Sequence, residues 1–268
     1  MQVLSVIFSA AKDGYPARDW EDGAVAGPYG WTPGGSVPGF RFVVADGATE
    51  AYESRRWAEQ LTDSFTADSD TASGPGLDAV SMRDWLEAMQ EQWRRTTAVG
   101  ADYIEQAKIR RGTLATFIGG HFLGLDTATP SWQAVALGDS VLFHVRQGRL
   151  LDHFPRLSSA DFDSAPEGIS TLPGRLDRMT GQFRCQNGWL APGDLIYVAT
   201  DAFAKWMITC HERGDQPVWQ MLDELVHPGV FAQLVADMRR NRTLKDDDVT
   251  LMRLRLVAEP AYTVVTCL

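Results

Sequence analysis

Cysteine is scarce in this chain. There are three, Cys185, Cys210 and Cys267, an odd number at wide spacing and with no Cys-x-x-Cys pair. That pattern argues against a disulfide framework and against a thiolate zinc site, and it fits a reducing, cytoplasmic setting. Cys267 stands next to the last residue, so the tail is not a prenylation box. Long hydrophobic runs are missing too. No stretch approaches the roughly 20 apolar residues that span a bilayer. The apolar residues 1–11 are short and lack a basic leader, and read as a first strand rather than a signal peptide. There is no basic excess: the formal net charge is −10 and the sequence pI about 4.9. This balance argues against non-specific binding to nucleic acid or to an anionic membrane. The histidines His121, His144, His153, His211 and His227 have no paired metal-ligand spacing, and none is assigned a site role.

What is present is a globular composition. Of 268 residues, 44% are hydrophobic, enough for a substantial core. No internal repeat or linker divides the chain, so residues 1–258 read as one domain and 259–268 as a short tail. Residues 2–11 have strand composition, 12–22 are polar, and 28–39 are dense in Gly and Pro and read as a loop. A strand follows over 40–45. Trp57, Leu61 and Phe65 recur at helical spacing, which predicts an amphipathic helix over 50–66. A longer helix is expected over 81–110, with Trp85, Leu86, Met89 and Trp93 on one face and Ser81 as N-cap. Apolar runs at 113–125, 131–137, 140–145 and 149–153 are joined by short turns, which implies antiparallel pairing. Residues 154–187 are irregular, polar and too long for an ordinary loop, a pattern associated with function or partner binding. A second central strand ends at Thr200, helices are expected over 202–211, 218–226 and 230–240, and a last strand over 248–257. Strands grouped in this way, each group followed by helices, predict an α+β layered fold rather than alternating βαβ units.

Three strand ends carry carboxylates. The run Phe42-Val43-Val44-Ala45 stops at Asp46-Gly47, Tyr197-Val198-Ala199-Thr200 stops at Asp201, and Asp246-Asp247-Asp248 precedes Val249-Thr250-Leu251. Glu21 and Asp22 lie before a short early strand, and Asp139 sits at the tight turn Leu137-Gly138-Asp139-Ser140. Each alone is ordinary: Asp-Gly makes turns, and Asp caps helices. Together they form an all-oxygen donor set of the kind that magnesium and manganese prefer.

In order, these stretches resemble the metal-dependent serine/threonine protein phosphatases of type 2C. Glu21-Asp22 resembles the early Glu-Asp motif of that family, and Val44-Ala45-Asp46-Gly47 its apolar-x-Asp-Gly motif. Gly112-Thr113-Leu114-Ala115-Thr116 resembles a Gly-Ser/Thr-x-Ala segment, and Gly138-Asp139-Ser140 the Gly-Asp-Ser motif. Thr200-Asp201 and Asp247-Asp248-Val249-Thr250 resemble Thr-Asp-Gly and Asp-Asn-x-Thr.

The resemblance implies a four-layer αββα sandwich with two central antiparallel sheets and a binuclear Mg²⁺ or Mn²⁺ site at one edge. Asp46 would bridge both ions and the Gly47 carbonyl would bind one. Asp201 and Asp247 would hold one ion. Asp22 and Glu21 would stand by the other, Glu21 through water. Asp139 with Asp201 would hold a third, weaker ion. It implies hydrolysis of phosphoserine or phosphothreonine by an activated bridging water attacking in line, with Asp46, Asp22 and Arg18 in the catalytic set. The expected partner is a phosphorylated protein, with a cognate Ser/Thr kinase. Residues 154–187 fall where the family carries a variable flap.

The chain also departs from the family. Ala17 stands where a phosphate-binding Arg is usual, which leaves Arg18 or Lys12 for substrate. Ala48-Thr49 and Ala202 replace glycines, and Asp248 replaces Asn. These departures keep two further readings open: a weakly active or inactive regulatory module of the same fold, and a hydrolase of small phosphate esters.

Overall fold

A computed structural model describes residues 1–16, 19–29, 39–48, 51–69, 72–97, 103–162, 166–215, 217–258 and 265–267. In chain order they form β1 (Gln2–Ala10), β2 (Gly23–Tyr29), β3 (Gly39–Gly47), α1 (Ser54–Thr66), the two-residue strands β4 (Asp68–Ser69) and β5 (Ala72–Ser73), α2 (Ala79–Thr97) and α3 (Tyr103–Arg111). There follow β6 (Leu114–Leu123), β7 (Ser131–Leu137), β8 (Val141–Arg146), β9 (Arg149–Phe154), β10 (Ile169–Ser170), α4 (Leu176–Thr180), β11 (Arg184–Trp189) and β12 (Leu195–Ala199). Last come α5 (Asp201–Glu212), α6 (Pro217–Asp223), α7 (Pro228–Arg240), β13 (Val249–Val257) and β14 (Val265–Cys267).

The strands make two large sheets. One runs β14-β1-β13-β12-β8-β9, the other β11-β7-β6-β3-β2, with β10 added on β6. The central strands are apolar on both faces, and the pleat sends alternate residues to different cores. In β3, Phe42 and Val44 face the other sheet, while Val43 and Ala45 face α1 and α2. In β12, Ile196 and Val198 face inward, and Leu195, Tyr197 and Ala199 face α5, α6 and α7. The result is an αββα sandwich with one core between the sheets and one under each helical layer.

Each sheet also turns one buried arginine outward to close a helix. Arg41 of β3 donates to the carbonyls of Phe65 at 3.2 Å and Gly74 at 3.1 Å, and so holds the end of α1. Arg253 of β13 donates to the carbonyls of Leu222 at 2.9 Å and Asp223 at 2.6 Å, at the end of α6. The helical carbonyls among these, of Phe65, Leu222 and Asp223, lie in the last turn, where intrahelical partners run out and a cation also meets the negative end of the helix dipole.

Several expectations need correction. The helix expected over 81–110 is two helices, α2 and α3, and residues 98–102 between them lie outside the described residues. The α2 start is capped by Asp78, not Ser81: the Asp78 carboxylate accepts from Ser81 N–H at 2.9 Å and from Ser81 Oγ at 2.6 Å. Residues 154–187 are not irregular throughout. They contain β10, a 3-10 turn over Pro173–Arg175, α4 and the start of β11. These pieces are too short to show periodicity, and they are fixed from outside: Trp57 Nε1 donates to the Ile169 carbonyl, and Gln90 Nε2 to that of Ser170. In the stretch read as a tail, Val265–Cys267 pairs in parallel with β1, the one parallel edge among the described strands. Most of the Gly/Pro-rich stretch 28–39 lies outside the described residues. Cys185 and Cys210 are free thiols, and no described helix is long and apolar enough to cross a membrane.

One ion cluster sits inside the sheet that contains β8 and β12. Asp194, fully buried, accepts from Arg146 Nε at 2.6 Å, Arg146 Nη2 at 2.8 Å and the Ala191 N–H at 2.8 Å. His144 Nδ1 accepts from Trp132 Nε1, so its Nε2 carries the proton and donates to Asp194 at 2.8 Å. Burial alone would raise the Asp194 carboxyl, but Arg146, His144 and the Ala191 amide outweigh it and bring it down to about 2. A carboxyl depressed in this way adds stability that is full above the ordinary Asp range near 4 and is lost as pH falls toward 2. Arg146→Met should therefore move the acid-unfolding midpoint, followed by far-UV circular dichroism, to higher pH. At neutral pH it should cost about 1–3 kcal/mol, less than a fully buried pair because Arg146 is partly exposed. An unchanged midpoint would remove this cluster from the account of acid stability.

Candidate active site

The strand ends of both sheets deliver carboxylates to one edge of the sandwich. Asp46 is the penultimate residue of β3, in register with Thr116 of β6, and Gly47 is opposite Ala115. A Cβ on Gly47 would stand 2.6 Å from the Glu21 carbonyl oxygen and 3.0 Å from that of Ser54. Glycine is needed here because the end of β3 is pressed between the residue that enters β2 and the first turn of α1.

Asp201 is the first residue of α5, with Thr200 as N-cap residue. Thr200 Oγ1 accepts from Thr250 N–H at 2.9 Å, which locks the start of α5 to β13 and so to Asp247 just before that strand. Asp139 sits on the β7–β8 turn after Gly138, whose φ of +113° favours glycine. Thr116 and Ser140 share a hydrogen bond of 2.9 Å beneath that turn. Behind them lies Asp22, which is fully buried and accepts from Thr250 Oγ1 at 2.6 Å.

Asp46, Asp139, Asp201 and Asp247 line one cleft of about 630 Å³, together with Lys12, Lys245, Glu167, Arg175 and Arg178. Asp22 stands behind this wall. Glu21 is turned to Lys12 Nζ at 3.3 Å and accepts from Ser54 Oγ at 2.8 Å. Lys12 therefore reaches the cleft with Glu21 as neighbour. Arg18 and Thr49 lie outside the described residues.

The carboxylates crowd one another. Burial, then Asp22, Asp201, Asp139 and Asp247, push the Asp46 carboxyl well above the usual range. Burial raises Asp22 to about 7, with Asp248 and Asp201 adding to the effect against the Thr250 hydrogen bond. Asp201 is raised by burial, which Lys245 opposes and Asp247 reinforces. Burial would lower the Lys245 ammonium, but Asp247 and Asp201 outweigh it and hold it above the usual lysine range.

This donor set fits a hard divalent cation. It is all oxygen, its charges repel each other, and the buried Asp22 Oδ1 has no hydrogen-bond partner among the described residues. Among the described residues, no three of these side chains converge closely enough to enclose an ion by themselves. Magnesium needs no such cage, since it keeps several waters and takes few protein oxygens.

The site also rests on residues that support it from outside the cleft. Asp248, in the place of the family's Asn, is structural: it accepts from Lys12 N–H at 2.9 Å and from Glu21 N–H at 2.8 Å. Its neighbour Asp246 accepts from Asp13 N–H at 2.9 Å. Arg239 of α7 donates to the Ala11 carbonyl at 2.8 Å and to the Asp247 carbonyl, and so ties the loop before β13 to the loop after β1. Arg175 and Arg178 reach the cleft from the short elements of residues 154–187. Only the chain path through those elements places them there.

Gly47→Ala should cost about 1–3 kcal/mol by overpacking, read as a lowered urea midpoint. A second expectation concerns pH in the presence of chelator. Asp22, raised from 3.8 to about 7, keeps in the folded state a proton that the unfolded chain releases. Stability should fall as pH rises between those values. Asp22→Asn should flatten that slope in chelator, and a wild-type slope no steeper than that of the variant would contradict the crowding described here.

No protein-family model matches the sequence, and no curated protein matches it. Solved structures do match it in fold. The photosystem II phosphatase PBCP is 13% identical, with 96% of this chain and 100% of that chain covered and a TM-score of 0.59. The Mycobacterium tuberculosis serine/threonine phosphatase PstP/Ppp is 11% identical, with 96% and 100% covered and a TM-score of 0.56. The catalytic domain of the serine/threonine protein phosphatase PstP, solved with 2 manganese ions, is 14% identical, with 96% and 99% covered and a TM-score of 0.54. At these identities the likeness is one of architecture, and the chain has the fold of the type 2C serine/threonine phosphatases.

Proposed function

We propose that the chain is a Mg²⁺- or Mn²⁺-dependent phosphatase of phosphoserine and phosphothreonine in proteins, working opposite a Ser/Thr kinase. The observation that carries this reading is the convergence of Asp46, Asp139, Asp201 and Asp247 on one cleft of this fold. In this reading Asp46 and the Gly47 carbonyl would be shared ligands of the ions, and Asp201 and Asp247 would hold an ion beside Asp46. Asp22 and Glu21 would support the other, and Asp139 with Asp201 would hold a third, weaker one. Such ions, when bound, acidify water near neutral pH and neutralise charge on phosphoryl oxygens.

The chain's own groups do the rest. Asp22 braces the carboxylate cluster from behind through Thr250. Lys12 presents a positive point charge to an entering phosphoryl group, and Arg175 a planar fork. Arg18, close to Glu21 in sequence, is a further candidate for that role. A weakly active or purely binding relative is the second reading, and the Lys245 ammonium on Asp201 and Asp247 favours it.

The test is turnover of a phosphothreonine peptide by the purified chain, with Mn²⁺ and with chelator. Turnover should require the metal, and Asp46→Ala or Asp201→Ala should lower kcat/KM by about 100-fold or more. Full activity in chelator or in either variant sinks the reading. Binding of the peptide without turnover selects the binding module, and hydrolysis of small phosphate esters alone selects a small-molecule hydrolase.

A further inference from the structure

Lys245 departs from what a metal-holding loop needs. It lies two residues before Asp247, and its Nζ stands 2.6 Å from Asp247 Oδ2 and 3.4 Å from Asp201 Oδ2. These are the oxygens that the proposed function assigns to one ion. A divalent cation and this ammonium therefore draw on the same two carboxylates.

The placement is built rather than incidental. The loop that carries Lys245 is fixed on its far side by Asp248, whose carboxylate accepts two backbone N–H groups, and by Arg239 on the Asp247 carbonyl. With that loop held, the stem of Lys245 delivers its charge to the mouth of the site. The side chain is 56% exposed, so it is not locked there. It also lines a second cavity of about 600 Å³ that shares Asp201 and is walled by Lys205, Arg239 and Arg242, so that space is already positive. Lys245 thus stands at the rim of the carboxylate cleft, and its exposed side gives the ammonium an open path to solvent.

We propose that Lys245 is a tethered competitor for the divalent ion. Its ammonium holds Asp201 and Asp247 in the metal-free chain and swings out to solvent when an ion binds. The chain then takes up metal more weakly than its carboxylates alone would allow, and its loading follows the free cation concentration. The inference rests on the metal-dependent reading of the same site.

The experiment is calorimetric titration of MnCl₂ into the chelator-stripped full chain at fixed pH and ionic strength. The proteins are wild type, Lys245→Met, Lys245→Gln and Arg178→Met. Arg178 lines the same cleft but pairs with Glu167, so its variant removes one positive charge without freeing Asp201 or Asp247. Either Lys245 variant should bind Mn²⁺ about tenfold more tightly than wild type, while Arg178→Met should stay within about twofold. The rise in Tm on adding Mn²⁺ should also be larger in the Lys245 variants, and metal-free melts report whether each variant is folded. Wild-type binding with no gain in the Lys245 variants, or an equal gain in Arg178→Met, overturns the inference alone. No Mn²⁺ binding to any of the proteins at millimolar metal overturns the metal-site reading and the inference with it.

Discussion

Like charges held together without water's full screening are costly, and the architecture depends on tolerating that cost at one edge. Asp46 arrives on a strand of one sheet, and Asp201 and Asp247 arrive at the ends of strands in the other. They can meet only because the two sheets interlock. Phe42, Val44, Ile118, Ile196, Val198, Met252 and Leu254 fill the space between the sheets and fix how far each strand end projects. A register slip of one residue in β3 would turn Asp46 toward the opposite face and bring an apolar residue to the cleft. The hydrophobic core is thus what holds mutually repelling groups in place, and the raised carboxyls of Asp22 and Asp46 are the sign of that constraint.

Hydrogen bonds then sew the two sheets together at this edge, and most of them pass through residues 246–250. Thr250 donates through Oγ1 to Asp22 and through its N–H to Thr200 Oγ1, so one residue connects the entry to β2, the start of α5 and β13. Asp248 holds the backbone on both sides of the β1–β2 loop. Neither side chain points into the cleft. Their part is to keep the ligating candidates from relaxing apart, as supporting hydrogen bonds do around many ion sites. In this chain the two N–H groups fall one on each Asp248 oxygen, an arrangement that a carboxylate provides and that an Asn, with a single acceptor oxygen, would have to meet differently.

The parts of this plan visible in the sequence are those with a short-range period. The long strands show as apolar runs because both faces of β3 and β12 are buried, and α1 and α2 show by helical spacing because one face of each is buried, whereas β4, β5, β10, β11 and β14 carry no such signal. The carboxylates at strand ends were visible as interruptions of apolar runs. What was not visible depends on chain path. Arg239 lies on a helix of ordinary amphipathic pattern, and only the packing of α7 beside β1 reveals that it reaches the Asp247 carbonyl. Arg175 and Arg178 lie on elements of three and five residues, below the length at which periodicity can be read. Ser81 looked like an N-cap because Ser favours that role, yet Asp78 caps the helix instead with a carboxylate that takes both the Ser81 N–H and its hydroxyl. Gly47 enters the sequence reading for its carbonyl, and the structure adds a packing reason for glycine there: its missing Cβ makes room for the Glu21 and Ser54 carbonyls.

The departures from the family pattern acquire a common meaning in this geometry. Ala48 costs little, since its N–H donates to the Leu114 carbonyl at 2.9 Å and its backbone simply continues the pairing past the end of β3. Ala202 is buried in the first turn of α5, a position that any small helix former can fill. More consequential than these departures is the placement of charge. Lys12 stands against Glu21, and Lys245 stands against Asp201 and Asp247. Each half of the carboxylate cluster thus has a lysine of its own, on a loop fixed by Asp248 or Arg239. A cluster with internal counterions can fold without metal, because part of its repulsion is already offset. In the metal-dependent reading proposed above, the same counterions would have to give way before divalent cations took full hold of the oxygens. Stability of the metal-free chain and affinity for metal would then be set against each other by the same two side chains.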